Sequence, residues 1–241
     1  MNEVIRTIMD RKSIRAYEAK DISEEEKRII LEAACAAPTA GNQQMYTIID
    51  VTDQSIKDKL VHTCDHQEFI AEAKMVLIFC ADVLKWHEGF MDCDCEPRKQ
   101  GVGDLFLAMS DASIAAQNAV IAASSLGIGS CYIGDIMENY EKQKELLGLP
   151  DHVFPCVMLV FGYPTKQQAE RVKVKRAPLD TIVSKNAYPK MDKEYRKRMF
   201  FKGSENRTYE EWMDAFCKRK YNSDFSKEMT RSVKAFLRQF D

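Results

Sequence analysis

The sequence predicts a layered α/β fold, and three observations support this. Its 241 residues are 45% hydrophobic and 30% charged, which is enough apolar material for a sizeable core. Short apolar strands alternate with helices along 1–184. From about residue 185 the pattern changes to polar helices with scattered aromatic side chains. We therefore expect one domain, 1–241, with a C-terminal helical excursion over 185–241.

The helices are predicted from their caps and their composition. Ser23 and Glu26 form a capping box, which begins a helix that ends before Pro38. The other predicted helices cover 104–126, 141–147, 208–220 and 224–240. The first of these is Ala-rich and apolar on nearly all sides, which indicates a central position.

The strands are predicted from short apolar runs. They cover 46–51, 75–81, 129–134 and 156–162. The first run is rich in β-branched residues, and the runs at 75–81 and 156–162 are apolar throughout, as in buried strands.

The longest stretch without a charge, 112–134, contains polar residues and glycines, so we expect a core helix that leads into a strand and no membrane span. No secretory signal pattern is present, and the eight cysteines are therefore expected to be free thiols in a cytoplasmic protein. Cys93 and Cys95, near His87, match the spacing of zinc ligands only weakly, and we predict no metal site.

Charge is divided unevenly along the chain. Residues 1–184 carry 20 Lys and Arg against 28 Asp and Glu, whereas 185–241 carry 15 against 9. The basic segment indicates either contact with an anionic ligand or a solvated helical face. A pI of about 6.2 and the absence of a base-reading motif disfavour nucleic-acid binding.

Several enzyme classes are excluded by missing motifs. The chain has no G-x-G-x-x-G ahead of a helix and no G-x-x-x-x-G-K-[ST], so neither a Rossmann nor a P-loop nucleotide site is supported. It also lacks H-E-x-x-H and G-x-S-x-G, which excludes zincin peptidases and α/β-hydrolases.

Two basic clusters remain as candidate anion sites. Arg11, Ser13 and Arg15 follow an N-terminal helix and would point the same way if the segment is extended. Two guanidinium groups and a hydroxyl fit a phosphate, although the same residues also fit an exposed basic turn. The second cluster, Lys173 to Arg176, has the composition of an ordinary charged loop.

Five segments, in this order, resemble the FMN-dependent nitroreductase superfamily: R-K-S-I-R-A-Y from residue 11, A-P-T-A-G-N-Q-Q from 37, G-I-G-S-C-Y-I-G from 127, F-G-Y-P from 161 and K-R-A-P-L-D from 175. The closer resemblance is to oxygen-insensitive NADPH nitroreductases and NAD(P)H:flavin oxidoreductases. It rests on Gln67 ahead of an apolar strand and on the G-S-x-N-R motif at 203–207, followed by Trp212. The resemblance covers nearly the whole chain.

The resemblance implies a central, mostly antiparallel sheet flanked by helices, in an intertwined homodimer with FMN at the subunit interface. Arg11 and Ser13 would hold the FMN phosphate, and Arg15 would reach the pyrimidine edge of the flavin, where a cation stabilises the reduced form. Arg176 would also contact the phosphate. Val174 occupies the usual lysine position, so Lys173 or Lys175 would take that part.

The remaining cofactor contacts implied by the resemblance come from three places. The loop residues that would meet FMN, typically from the partner subunit, are Thr39, Gly41, Asn42 and Gln43. Gln67 would hydrogen-bond the flavin, and the backbone of Gly129, Ser130 and Cys131 would pass close to its N5 and O4 atoms. From the residues alone, the loop is a simple turn and Gln67 a surface helix residue.

The resemblance also implies the reaction. NADPH would bind with its 2′-phosphate at Lys202, or at Arg207, and NADH remains open as a donor; from composition alone both residues lie on a solvated face. Two electrons would pass by a ping-pong mechanism to nitroaromatics, quinones or related small acceptors. No protein residue is predicted to be catalytic, because the flavin carries the chemistry. The alternatives are a flavin reductase that supplies reduced FMN and, from another class, a non-catalytic flavin-binding or regulatory protein.

Overall fold

The structure, a computed structural model, describes residues 1–201, 203 and 206–241. These residues form two compact units. The first unit comprises Met1–Arg171 and Glu228–Asp241, and the second comprises Val172–Lys227. The division into one domain with an excursion from residue 185 stays a prediction.

The helices follow the predicted pattern and add several short ones. The first unit contains α1 (Glu3–Asp10), α2 (Glu24–Cys35), α3 (Gln54–Thr63), α4 (Phe69–Glu72), α5 (Leu84–Asp92), α6 (Val102–Ser125), α7 (Tyr140–Leu147) and α8 (Lys166–Glu170). The second contains α9 (Leu179–Ile182), α10 (Lys193–Phe200) and α11 (Tyr209–Phe216), and α12 (Asp224–Leu237) ends in the first unit. The capping box at Ser23 is confirmed.

In the described part of the chain, four strands form one antiparallel sheet: β1 (Tyr46–Asp50), β2 (Met75–Asp82), β3 (Gly129–Ile133) and β4 (Val153–Gly162). Their order is β1-β2-β4-β3, and each neighbouring pair is antiparallel. The predicted strands are confirmed to within three residues at each end, and so is the antiparallel sheet that the resemblance implied.

Both faces of the sheet are covered, which explains why β2 is apolar throughout. Leu77 and Phe79 point into a cluster with α2 and α6, whereas Val76 and Ile78 point into a second cluster with Leu60 of α3. All five side chains are fully buried. Successive side chains of a strand point to opposite faces, so a strand covered on both sides has no polar alternation.

Helix α6 is the one helix among the described residues that is long and apolar enough to cross a membrane. Its buried face consists mainly of alanines, which let the helix pack closely against α2 and the sheet. This packing identifies α6 as a core helix, as the sequence predicted.

The chain between α1 and α2 lies along the edge of the sheet. The Ile14 amide donates to the Ser130 carbonyl at 2.9 Å, and the Glu18 amide donates to the Tyr163 carbonyl at 2.8 Å. Two glycines permit this approach. A Cβ at Gly129 would lie 2.5 Å from Cγ1 of Ile14, and one at Gly162 would lie 2.6 Å from Cδ1 of Tyr17.

Replacing Gly129 by alanine is therefore expected to destabilise the protein by about 1–3 kcal/mol, because the new methyl group overlaps a buried side chain. Gly134→Ala is the matched control, since a Cβ there meets nothing within 4 Å. Urea unfolding of both variants measures the difference. Equal midpoints would show that residues 13–18 do not depend on the missing Cβ.

Candidate functional site

The extended segment after α1 brings Arg11, Ser13 and Arg15 together beside Cys131. Ser13 lies opposite Ser130 in a parallel bridge. Burial raises the pKa of the Cys131 thiol, while the charge of Arg15, a hydrogen bond with Ser13 and the charge of Arg11 act in the opposite direction. The three side chains therefore share one side of the segment, as their alternation predicts, and the thiol stays protonated.

This cluster has unused donors. Nη1 of Arg11 is buried and has no hydrogen-bond partner among the described residues. Arg15 is exposed, with its guanidinium carbon 5.8 Å from the centre of the Phe69 ring. A buried guanidinium nitrogen without a partner is costly unless an acceptor completes it. The arrangement fits an anionic ligand better than it fits an exposed basic turn.

Arg171 is a further basic residue at this cluster that sequence reasoning missed. Its Nη2 donates to the Ser13 carbonyl at 2.5 Å. Nζ of Lys12 donates to the Arg171 carbonyl at 2.6 Å, so the two segments are linked in both directions. No local motif singles out Arg171, because its partner is 158 residues away in the chain.

The loop from Thr39 to Gln44 is a tight turn in which three of the six residues have left-handed backbone conformations. Gly41 and Asn42 both have φ of 57°, and Gln44 has φ of 50°. The Gln44 amide donates to Oγ1 of Thr39 at 3.2 Å, which closes the loop. Gly41 and Asn42 are exposed, so their backbone is accessible to another molecule. Gln43 is half-buried.

Asp111 of α6 binds this loop through hydrogen bonds, and sequence reasoning did not identify it. Its side chain is 2% exposed and accepts hydrogen bonds from the Ala40 amide at 3.0 Å and the Met45 amide at 3.2 Å. A buried carboxylate is stabilised by such amide donors. The sequence signal was a carboxylate inside an otherwise apolar helix.

A cavity of about 430 Å³ opens beside the loop. Nε1 of Trp86 donates to the Gln43 carbonyl at 2.6 Å. The cavity is lined by Gln43, Met45, Val83, Trp86, His87, Phe90, Cys95, Glu96, Pro97, Arg98, Gln100 and Asp104. Sequence reasoning missed it, because its walls come from three separate stretches of the chain.

Gln67 lies just before α4 and is held by two acceptors. Its Nε2 donates to the Cys64 carbonyl at 3.0 Å and to Oδ2 of Asp135 at 2.7 Å. Asp135 follows β3, the strand that begins with Gly129, Ser130 and Cys131. Gln67 and β3 are thus linked through one carboxylate.

The remaining predicted residues belong to the second unit. Lys175 and Arg176 are exposed, and Lys173 is half-buried. Arg207 is exposed near Glu211. Lys202 lies outside the described residues. The contacts predicted for these four described residues with FMN or NADPH stay predictions.

Asp111→Ala is expected to destabilise the protein by about 2–4 kcal/mol, because it leaves two amide donors of the loop without an acceptor. Asp111→Asn, which keeps one acceptor oxygen, is the matched control and should cost less. Urea unfolding measures both effects. Unchanged stability in Asp111→Ala would show that the loop does not depend on this carboxylate.

Comparison with known proteins identifies the family of this chain. A family model described as the nitroreductase family matches residues 8–163. An FMN reductase [NAD(P)H] of Bacillus subtilis is 30% identical over 239 residues, which cover 98% of this chain and 91% of the relative. An oxygen-insensitive NADPH nitroreductase of Salmonella typhimurium is 31% identical over 200 residues, covering 82% and 80%. The solved structure of NfrA1 from B. megaterium has a TM-score of 0.85 at 30% identity, with 98% of each chain covered. The chain belongs to the nitroreductase family.

Proposed function

We propose that this protein is an FMN-dependent NAD(P)H oxidoreductase. The observation that carries the proposal is that Arg11, Ser13 and Arg15 lie together beside Cys131. Within the described part of the chain, the buried Nη1 of Arg11 has no hydrogen-bond partner. The cluster lies within the segment that matches the family. Two relatives over most of the chain are an FMN reductase and an NADPH nitroreductase.

The residues at the cluster fit FMN. Arg11 and Ser13 would bind the phosphate, since a guanidinium group offers a rigid set of donors to phosphate oxygens. Arg15 would face the pyrimidine edge of the flavin. The backbone of Gly129, Ser130 and Cys131 would border the N5 and O4 side of the flavin. Gly129 has no Cβ, which already permits the close approach of Ile14. Arg176 and either Lys173 or Lys175 are proposed as further phosphate contacts.

Bound at this site, FMN would supply hydride acceptance from a reduced nicotinamide and two-electron transfer to an acceptor, which would give ping-pong kinetics. The chain's own residues bind and orient. The fixed positive charge of Arg15 favours negative charge on a ring beside it, and Cys131 stays neutral. No protein nucleophile is needed.

The acceptors we propose are nitroaromatics, quinones and related small molecules. A flavin reductase that supplies reduced FMN is the second candidate, and the name of the Bacillus subtilis relative supports it. Comparing kcat/KM for free FMN and for a nitroaromatic compound separates the two.

We also propose a cytoplasmic homodimer in which Thr39, Gly41, Asn42 and Gln43 meet the partner's FMN. Two exposed apolar faces support the dimer. Val4, Ile5 and Ile8 of α1 are exposed, as are Phe106, Leu107 and Ile114 of α6. Exposed apolar surface of this kind is typical of an interface. The free thiols of all eight cysteines support the compartment.

The electron donor is proposed to be NADPH, bound through Lys202 and Arg207, with NADH as a second donor. The basic composition of 185–241 supports an anionic dinucleotide in this region. The name of the Salmonella typhimurium relative also specifies NADPH.

The purified protein is expected to be yellow, or to bind added FMN, and NADPH is expected to bleach its flavin absorbance without oxygen. Arg11→Ala should weaken FMN binding by tenfold or more, because a charge-assisted phosphate contact is lost. Arg28→Ala, which removes an exposed arginine paired with Glu25 and Glu32, is the control. Protein that cannot be reconstituted with FMN would overturn the proposal. Bound FMN that NADPH and NADH leave oxidised would support the non-catalytic alternative.

Lys202→Ala should raise the KM for NADPH about tenfold and leave the KM for NADH nearly unchanged, since only NADPH carries the 2′-phosphate. Lys218→Ala, at an exposed lysine paired with Asp214, is the control. Steady-state kinetics with both donors measure the effect. Equal changes for the two donors would remove Lys202 from the phosphate.

Light scattering should give twice the 27.7 kDa subunit mass. Phe106→Glu should shift the protein towards monomer and weaken FMN binding, because it places a charge in the proposed interface; Phe106 is 66% exposed in the single chain. Met91→Glu on α5, at a position that is 56% exposed, is the matched control. A Phe106→Glu variant that stays dimeric would exclude the α6 face.

A further inference from the structure

Both amide protons of Gln67 are already used by the protein. Nε2 lies within hydrogen-bond distance of the Cys64 carbonyl and of the Asp135 carboxylate. Both partners are acceptors, so the atom between them must be the nitrogen and not the oxygen of the amide. What Gln67 can offer to a ligand is therefore its carbonyl Oε1, which only accepts.

Asp135 in turn interacts with a buried acid. Glu138 is 4% exposed, and its Oε1 has no hydrogen-bond partner among the described residues. Burial, together with the charge of Asp135 and a hydrogen bond to it, raises the pKa of Glu138 to about 8. At neutral pH Glu138 is therefore protonated and donates a hydrogen bond to the Asp135 side chain.

The other charged groups that face Glu138 act in the same direction. Asp65, ahead of α4, and Glu228 of α12 both raise its pKa by their negative charge. Glu228 is itself paired with Arg231 at 2.8 Å, and Arg231 also pairs with Glu141. The charge of Arg231 is thus already neutralised by two carboxylates.

We propose that Asp135, hydrogen-bonded to Glu138, is a positioning residue that fixes Gln67 as a hydrogen-bond acceptor for the flavin ring. This inference rests on the proposed function. Oxidised isoalloxazine has a single N–H group, at N3, so an acceptor-only Gln67 pairs with N3–H. Without Asp135, the side-chain amide of Gln67 is free to rotate and to present its N–H groups to the flavin. An N–H group cannot pair with N3–H, because both are donors.

The first test is a double-mutant cycle on FMN affinity at pH 7, measured by the quenching of FMN fluorescence as apoprotein is added. Asp135→Ala and Gln67→Met are each expected to weaken binding about tenfold. The double variant should bind no more weakly than Gln67→Met, because Asp135 acts through Gln67. 3-Methyl-FMN, which lacks the N3 proton, should bind Asp135→Ala and wild type alike.

Two variants separate positioning from folding. Asp135→Asn keeps an acceptor oxygen for Gln67 and should retain affinity within about threefold of wild type. Asp58→Ala removes the same kind of contact at an exposed site on α3, where Nε2 of Gln54 donates to Asp58 at 2.8 Å, and should leave FMN binding unchanged.

The outcomes separate this inference from the proposed function. A wild-type protein that binds no FMN would overturn the proposed function. If wild type binds FMN, two results would overturn only the inference. One is a Gln67→Met variant with wild-type FMN affinity. The other is an Asp135→Ala substitution that weakens FMN binding by the same factor in wild type and in Gln67→Met.

The second test is the pH dependence. As pH rises through about 8, Glu138 ionises and repels Asp135. FMN affinity of wild type should fall several-fold between pH 7 and 9, whereas Glu138→Gln, which keeps a donor for Asp135, should show a flatter profile.

Because the pKa of Glu138 is raised on folding, the stability of wild type relative to Glu138→Gln should also fall as pH increases from about 4.5 to 8. Identical profiles would overturn the role of Glu138.

Discussion

The close packing of residues 13–18 against β3 and β4 is the constraint on which the candidate site depends. The approach requires that Gly129 and Gly162 have no Cβ, because Ile14 and Tyr17 occupy that space. Once the segment is held there, its alternation places Arg11, Ser13 and Arg15 on one side and buries Ile14 on the other. Two glycines on the sheet therefore determine where the positive charge of the site lies.

Two carboxylates, the buried Asp111 and the half-buried Asp135, support the site through hydrogen bonds. Asp111 accepts from two amides of the Thr39–Gln44 loop, and Asp135 accepts from Gln67. Asp111 lies on α6, which packs against the sheet, and Asp135 lies directly after β3. The partner of each acid lies on a loop. Loops of this kind have little apolar contact of their own, so a charge-assisted hydrogen bond fixes them where packing does not.

Asp111 and Glu138 are both buried acids, but their surroundings differ. Asp111 has amide donors on both oxygens, which compensate for the loss of water. Burial and the neighbouring acids raise the pKa of Glu138 to about 8, and its Oε1 has no hydrogen-bond partner among the described residues, so Glu138 is neutral at pH 7. A neutral acid can donate a hydrogen bond, and this gives the proposed Gln67 anchor its dependence on pH.

The sequence by itself determined the strands, the capped helices and the basic cluster at Arg11. Apolar runs such as 75–81 have no stable place outside a core, and Ser23 and Glu26 cap a helix through contacts only three residues apart. The sequence pattern did not predict helix α3, because its apolar face is narrow. Its N-cap signal is present, since the Asp53 side chain accepts a hydrogen bond from the Ser55 amide. Only the tertiary structure joined Gln67 to Asp135 and Asp111 to Ala40, which lie 68 and 71 residues apart. No local pattern records such pairs, since hydrogen bonds across the fold depend on how its elements pack and not on neighbouring residues.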